Sequence, residues 1–344
     1  MTPDRRTVVS SLLGLPLLPA LARSAHAAWQ DGATVKALYD KAKAEGQVMV
    51  WGTQQGEVDW IPKAFNALFP GIDVQWVGDN DIATKAIAEA RGGRHQVDVF
   101  WHSLTGVGPM VQRDLIAKVD WAPFGVLPAG TTFDGRGAYT SNIAYALAFN
   151  SELVKKADVP TRWDAFTDPK YKGKLTASLF LLPRLSGALS LAWGMEKTQQ
   201  FVRDILANEI LLTRAPREPI INSGERLYGL GEVDNLVRRW GRAGLKIDYV
   251  HPEPIVLGQF VSTVMTNAPH PNAARLLAGF LASVDGKEAR SNATFAGDYS
   301  AAGTSEFARL VNSGKVQVVH DTPENMAQRE NASRVFGPIV AGQK

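Results

Sequence analysis

Residues 46–77, GQVMVWGTQQGEVDWIPKAFNALFPGIDVQWV, predict the fold of the chain. The stretch opens with an apolar run at 47–53, which is typical of a buried strand. Apolar side chains then recur at helical spacing over residues 58–68, and Pro70 marks the end of that helix. A second strand is predicted over 73–77. The local order is therefore strand, helix, strand.

The same alternation continues along the chain. A helix is predicted over residues 82–91, a strand over 97–102 and a helix over about 108–116. Strands that are apolar throughout and alternate with helices indicate an α/β fold with a parallel sheet covered on both faces. Ligands of such sheets sit beyond the carboxyl ends of the strands. Three loops are therefore candidate ligand contacts: residues 53–57, 78–82 and 102–106.

A second unit is predicted in the rest of the chain. Its expected elements are a long strand over 142–150 that links the halves, a strand over 174–182, a helix over 186–206, a strand over 260–266 and a helix over 272–281. No strong periodicity follows Asn331. A chain of this length exceeds what one hydrophobic core usually serves, so two domains are expected.

Residues 1–27 have the order of a secretory signal peptide. Arg5 and Arg6 precede an apolar run, and Ala25-His26-Ala27 provides an A-x-A cleavage site. The apolar run is too short and proline-broken to cross a bilayer. The arginine pair resembles a twin-arginine export signal, and an ordinary Sec signal is the alternative. We expect a soluble protein in the periplasm.

Composition excludes several other classes. The chain has no cysteine, so disulfides, thiolate metal sites and a lipid anchor on an N-terminal cysteine are excluded. Residues 1–27 hold three arginines and one aspartate, so their removal lowers the formal net charge from +3 to +1. No block of like charge remains, and nucleic acid is not an expected partner.

Four segments together resemble a known family. They are WDAFTDPKYKGK at 163–174, GQVMVWGTQQ at 46–55, IAYALAFNSELV at 143–154 and APHPNAARLLAGFLASVDGKEA at 268–289. In order and spacing they are similar to the bacterial extracellular solute-binding proteins of the ferric-iron, polyamine, thiamine and phosphonate type. The first of these motifs, with its proline and glycine, is expected to shape a lobe boundary and not to touch the solute.

The resemblance implies a two-lobe type II periplasmic binding protein fold with a crossover-strand hinge. Residues 28–140 with about 255–300 are expected to form lobe 1, and 141–254 with about 301–344 lobe 2. It further implies a monomer without cofactor that delivers a small solute to an ABC permease in the inner membrane. The glycines that usually follow the glutamate at position 232 are absent here, which places the cleft wall near it in doubt.

The leading prediction for the solute is an organic anion bearing phosphate or carboxylate. Backbone N–H groups at a helix start bind anions, hydroxyls donate hydrogen bonds, and arginine clamps oxyanions bidentately. The residues expected to supply these groups, or to lie beside them, are Thr53, Gln54, Ser103, Thr105, Tyr139, Asn142, Arg184, Ser186, Gly187, Arg217 and Tyr228. Ser186-Gly187 is expected to start the second-lobe helix. The alternative roles are solvated surface charges or interlobe salt bridges for the arginines, and helix caps for Ser103 and Thr105.

Two other solute classes and one other functional class are alternatives to anion binding. Ferric-binding relatives use adjacent tyrosines near residues 222–231, where this chain has only Tyr228, with Glu57 and His102 as further oxygen and nitrogen donors. A polyamine would need cleft carboxylates and aromatic faces. An exported hydrolase or metalloenzyme is the alternative class, but the motifs G-x-S-x-G, HExxH and GxxxxGK[ST] are absent. No catalytic residue and no bound metal are expected.

Overall fold

The computed structural model describes residues 29–53, 55–79, 82–300 and 303–342. The predicted signal peptide at 1–27 and the candidate contact Gln54 lie outside the described residues. Within the described residues, no helix is both long enough and apolar enough to cross a membrane.

The strands and helices alternate along most of the chain. The strands are β1 Gln47–Gly52, β2 Asp73–Gly78, β3 Val99–Ser103, β4 Thr131–Thr132, β5 Gly137–Asn150, β6 Leu175–Ser178, β7 Leu211–Thr213, β8 Tyr228–Val233, β9 Ile247–Val250, β10 Ile255–Val264 and β11 Val318–His320. The helices are α1 Ala33–Glu45, α2 Gln55–Val58, α3 Ile61–Asn66, α4 Ile82–Arg91, α5 Leu104–Val111, α6 Leu181–Trp193, α7 Met195–Ala207, α8 Glu218–Asn222, α9 Asp234–Arg242, α10 Pro271–Ala282, α11 Val284–Thr294, α12 Glu306–Val311 and α13 Met326–Val340.

The main strands follow one another in the order β2-β1-β3-β10-β5-β8-β6-β7. At one end β1 pairs in parallel with β2 and β3, and at the other β6 pairs in parallel with β7 and β8. Two long strands join these parallel units. β5 pairs antiparallel first with β10 and then with β8, and β10 also pairs antiparallel with β3. Backbone hydrogen bonding therefore runs without a break from one unit to the other.

Each parallel unit packs around its own buried apolar cluster. In the first unit, formed by β1–β3 with α1–α5 and α10, the cluster includes Phe65, Trp101 and Leu277. In the second unit, formed by β6–β8 with α6, α7, α9 and α13, it includes Trp163 and Phe336. Burial of each such side chain contributes about 1.5–3 kcal/mol, so each unit has a core of its own. The residue boundaries of the two lobes stay a prediction.

Several element predictions need correction. The helix predicted over 186–206 is two helices, α6 and α7, because Gly194 between them adopts a positive φ of 79° and ends α6. The helix predicted over 108–116 is α5, which begins at Leu104 directly after β3. The region after Asn331, predicted to lack periodicity, is part of α13. Its buried face includes Ala332 and Phe336, and Pro338 lies inside the helix.

The WDAFTDPKYKGK segment is structural in the fold. It forms two short 3-10 turns, Trp163–Thr167 and Pro169–Tyr171, that lead into β6. Trp163 is fully buried, and its indole N–H donates to the backbone carbonyl of Pro254 at 3.0 Å. Tyr171 packs edge to face against Tyr228, with ring centroids 5.6 Å apart. These side chains fill the core of the second unit.

Candidate functional site

A cavity of about 110 Å³ lies between the two units. Its walls come from the carboxyl ends of β1 and β3, from β5 and β10, and from α6, α9 and α13 of the second unit. This placement agrees with the rule that ligands of parallel sheets bind beyond the carboxyl ends of the strands. Typical ligand pockets measure about 300–1,000 Å³, so in this conformation the cavity fits a small solute.

The first unit contributes a cluster of polar side chains. Thr53 follows β1 and lines the cavity, as do Ser103 and Thr105 at the start of α5. The Ser103 hydroxyl lies 3.0 Å from Nδ1 of His102 and 3.1 Å from the Thr105 hydroxyl. It does not cap α5, although Ser103 occupies the N-cap position. The capping alternative for Ser103 is therefore wrong, and its hydroxyl belongs to the cavity wall.

Two helices begin at the cavity from opposite sides. α5 starts beside Ser103 and Thr105, and α6 starts with Leu181, which lines the cavity together with Arg184 in its first turn. A helix N-terminus carries a partial positive charge and N–H groups without intrahelical partners. At α6 the N–H of Leu181 already donates to the Ser178 hydroxyl at 3.3 Å, so the partial positive charge is the main contribution of that helix. The two helix starts together favour an anion in the space between them.

Among the described residues, each carboxylate that lines the cavity has an arginine partner. Glu57 accepts from Nη2 of Arg290 at 2.8 Å, and Asp321 forms a buried ion pair with Arg329. The third carboxylate, Glu330, has the guanidinium of Arg334 one helical turn away, at 3.4 Å. The negative charges of the cavity wall are therefore offset by positive charges, and they provide little excess charge for a cationic solute.

Arg184 brings a positive charge to the side of the cavity opposite β3. Its guanidinium lies 3.5 Å from the centre of the Phe180 ring, a cation–π contact that orients the group. Burial and the charge of Arg184 together lower the pKa of His102 from 6.5 to about 4. The imidazole is therefore neutral at pH 7, and Arg184 acts on it across the cavity.

The stability of the protein is expected to depend on the protonation of His102. Between pH 6.5 and about 4 the unfolded chain binds a proton at this residue and the folded chain does not. The free energy of unfolding therefore falls as the pH is lowered through this window, by at most about 3 kcal/mol. Urea unfolding curves of the wild type and of His102→Gln across this range should differ in pH dependence by that amount. A His95→Gln variant, altered at an exposed histidine, should behave like the wild type.

The structure brings four of the predicted contact residues to the cavity and leaves six elsewhere. Thr53, Ser103, Thr105 and Arg184 line it. Ser186 and Gly187 lie inside α6 and not at a helix start: Ser186 is fully buried and donates to the carbonyl of Leu182 at 2.9 Å. The reasoning that placed an anion on their N–H groups is therefore wrong, because the helix begins five residues earlier at Leu181.

The other four residues have structural partners. Arg217 forms a bidentate pair with Glu232, and Tyr228 packs among aromatic rings of the second core. Asn142 donates to the side chain of Gln259 at 2.8 Å and accepts from the backbone N–H of Tyr299. Tyr139 packs on the apolar cluster at the other face of β3. None of these four side chains lines the cavity between the units.

Sequence reasoning missed the wall that the C-terminal region supplies. Asp321 follows β11, and Arg329, Glu330 and Ser333 project from α13. One signal was available: the apolar residues 318–319, followed by His320 and Asp321, have the pattern of a strand ending in a polar loop. Arg329 is only 4% exposed, although arginine on a helix is normally taken as a surface residue.

The described residues offer no evident set of metal ligands. Among the described residues, no three His, Asp or Glu side chains lie close enough together to hold a metal ion. Tyr228, the phenol proposed for iron, is 7% exposed and packs against Phe166, with ring centroids 5.5 Å apart. Burial raises its pKa, which disfavours the phenolate form that Fe(III) prefers.

Solved structures of periplasmic binding proteins share this fold. Iron-bound HitA from Pseudomonas aeruginosa is 16% identical, with a TM-score of 0.72 over 86% of this chain and 99% of that chain. AfuA from Actinobacillus pleuropneumoniae with fructose-6-phosphate is 17% identical, with a TM-score of 0.71 over 86% and 99%. The substrate binding protein of an ABC transporter from Agrobacterium tumefaciens is 12% identical, with a TM-score of 0.73 over 87% and 94%.

These likenesses confirm the predicted α/β type II periplasmic binding protein fold, and at such low identities they establish the fold and not the solute. A sequence search among curated proteins finds no match. The family model described as bacterial extracellular solute-binding protein matches residues 60–297, which confirms the resemblance and the prediction that the chain is not an enzyme. Because this match covers more than half of the sequence, the chain belongs to the bacterial extracellular solute-binding proteins.

Proposed function

We propose that the chain is the periplasmic solute-binding component of an ABC-type importer, and that it captures a small organic anion in the cavity between its units. The observation that carries the choice of an anion is that α5 and α6 both begin at the cavity, each with the partial positive charge of a helix start. Arg184 adds a positive charge in the first turn of α6. Among the described residues, the carboxylates that line the cavity, Glu57, Asp321 and Glu330, each form an ion pair with an arginine.

The same observation weakens the alternatives. A polyamine needs carboxylates that are available to its ammonium groups, and those of the wall are already paired. The HitA structure is iron-bound, but Tyr228 of this chain lies in the second core and not in the cavity wall. An organic anion on this fold has a precedent in AfuA, whose structure carries fructose-6-phosphate.

Contacts between the two units support capture by closure. Nδ2 of Asn235 in α9 donates to Oε1 of Glu57 in α2 at 3.2 Å. Gly108 of α5 meets Met326 of α13 so closely that a Cβ at position 108 would lie 2.5 Å from the Met326 sulfur. A solute held by one unit gains contacts from the other only when the units meet, so binding favours the closed state.

Export and delivery complete the proposal. Residues 1–27 would direct the chain to the periplasm, by the twin-arginine route if Arg5 and Arg6 are read as that signal. The mature protein is then a monomer that docks to an inner-membrane permease in its closed form. The sequence of residues 1–27 supports export. The contacts between the two units support a closed conformation, which the permease could distinguish from an open one.

A thermal-shift panel tests the choice of solute. The mature protein is heated with sugar phosphates, phosphonates, dicarboxylates, polyamines, thiamine and Fe(III). We expect at least one organic anion to raise the melting temperature, because a ligand that binds only the folded state stabilises it. Polyamines should leave the melting temperature unchanged. A shift with Fe(III) alone, together with a visible phenolate-to-iron colour, would refute the anion.

A further inference from the structure

His102 is held rigidly at the edge of the cavity. It ends β3, is 6% exposed, and stacks on Phe100 with ring centroids 5.5 Å apart and planes at 6°. Gly106 faces the ring so closely that a Cβ there would lie 2.0 Å from Nδ1. The His102 imidazole therefore keeps a fixed position relative to a solute in the cavity.

The hydrogen bonds of His102 suit either protonation state. Nδ1 lies 3.0 Å from the Ser103 hydroxyl, which lies 3.1 Å from the Thr105 hydroxyl. A hydroxyl can donate or accept a hydrogen bond. Ser103 can therefore donate to Nδ1 of a neutral ring, or accept from Nδ1 of a protonated ring and donate to the Thr105 hydroxyl. The ring can therefore gain a proton without losing this partner.

Burial is the main cause of the low pKa that keeps the His102 ring neutral, and the positive charge of Arg184 from α6 adds to it. Within the part of the chain that the structure describes, the other charged groups that share the cavity are Glu57, Asp321, Arg329 and Glu330, and each of these carboxylates has an arginine partner. On β10, the apolar Val261 lies directly opposite His102. A negative charge close to the ring would favour its protonated form and so act against both causes of its low pKa.

We propose that His102 takes up a proton when an anion binds between α5 and α6, so that solute capture strengthens as the surroundings become more acidic. This inference rests on the proposed function, since it requires an anionic solute. Thermodynamic linkage makes the coupling reciprocal: an anion that favours the imidazolium is itself bound more tightly by it. Over the pH range between the histidine pKa values of the complex and of the free protein, affinity should rise by up to about tenfold for each unit of pH lost.

The test is a titration of the His102 ring by nitrogen NMR in the mature protein, with and without inorganic sulfate. Sulfate keeps its charge over the range of histidine titration, so any change of protonation belongs to the protein. We expect saturating sulfate to raise the pKa of His102 and the affinity for sulfate to be higher at about pH 5 than at neutral pH. Calorimetry in buffers of different ionisation heat should show proton uptake on binding.

Variants separate this coupling from other histidines and from folding effects. His102→Gln should remove both the proton uptake and the pH dependence of affinity, and His95→Gln, changed at an exposed site, should keep them. If His102→Gln fails to fold, the ring titration of the wild type still decides. Anions that stabilise the protein but leave the His102 pKa unchanged would overturn the proton coupling alone. Failure of every anion in the panel, sulfate included, to stabilise the protein would overturn the proposed function with it.

Discussion

Replacement of Arg184 by glutamine is expected to weaken binding of the proposed organic anion by at least about thirtyfold. Arg184 lies in the first turn of α6 and lines the cavity opposite Ser103 and Thr105. A hydrogen bond from a charged donor to an oxyanion contributes about 1.5–3 kcal/mol, and a loss of about 2 kcal/mol corresponds to this factor. The affinity is measured by calorimetry with the anion that gives the largest thermal shift.

Two further variants show whether the loss is specific. Arg214→Gln removes the same charge from an exposed turn and should leave the affinity unchanged. Arg184→Lys keeps the charge but loses the planar fork, so it should bind with intermediate affinity. In ligand-free protein, Arg184→Gln should also raise the pKa of His102, because Arg184 is one of the two causes of its low value. Wild-type affinity in Arg184→Gln would remove the main support for an anion at this place.

The parts of the fold that follow from local pattern could be predicted from the sequence. β1, β2 and α4 were expected within a residue or so, because apolar runs and a clear helical period mark them. The break between α6 and α7 was missed, since a single glycine within a long helical pattern is normally tolerated. α13 was missed because Arg329 stands on its buried face and Pro338 lies in its last turn.

The candidate site was predictable only where it follows the strand ends of the first unit. Thr53, Ser103 and Thr105 come directly after β1 and β3, and the rule for parallel sheets places them at one edge. The second unit offered no such guide. Asp321 and Arg329 reach the cavity because β11 pairs with β10 and α13 packs on α6, and both contacts join segments far apart in sequence. Pairing of that kind is decided by tertiary packing.

Arg217 shows how a polar residue near a strand end can be mistaken for a ligand contact. The residue is typical of an oxyanion clamp, yet its guanidinium engages Glu232, whose side chain is 0% exposed. Burial raises the pKa of Glu232, and the charge of Arg217 opposes that rise. Arg217 therefore serves to neutralise the buried carboxylate of Glu232 in β8, because an uncompensated buried charge is costly.

Arg217→Met is therefore expected to lower the free energy of unfolding by about 3–5 kcal/mol at neutral pH and to leave solute affinity nearly unchanged. Loss of the cation raises the pKa of Glu232 further, so part of the lost stability should return as the pH falls and the carboxylate becomes protonated. Urea unfolding at several pH values measures both effects. Arg203→Met, changed on the exposed side of α7, is the matched control and should be close to the wild type.

The double variant Arg217→Met with Glu232→Gln decides between a structural and a binding role. Removing both charges leaves no buried ion, so the double variant should recover much of the stability that Arg217→Met loses. Its solute affinity should equal that of the wild type, because neither side chain lines the cavity. A double variant that is stable but no longer binds the anion would show that Arg217 takes part in solute binding. Recovery of both properties would show that this arginine serves the second unit by neutralising Glu232.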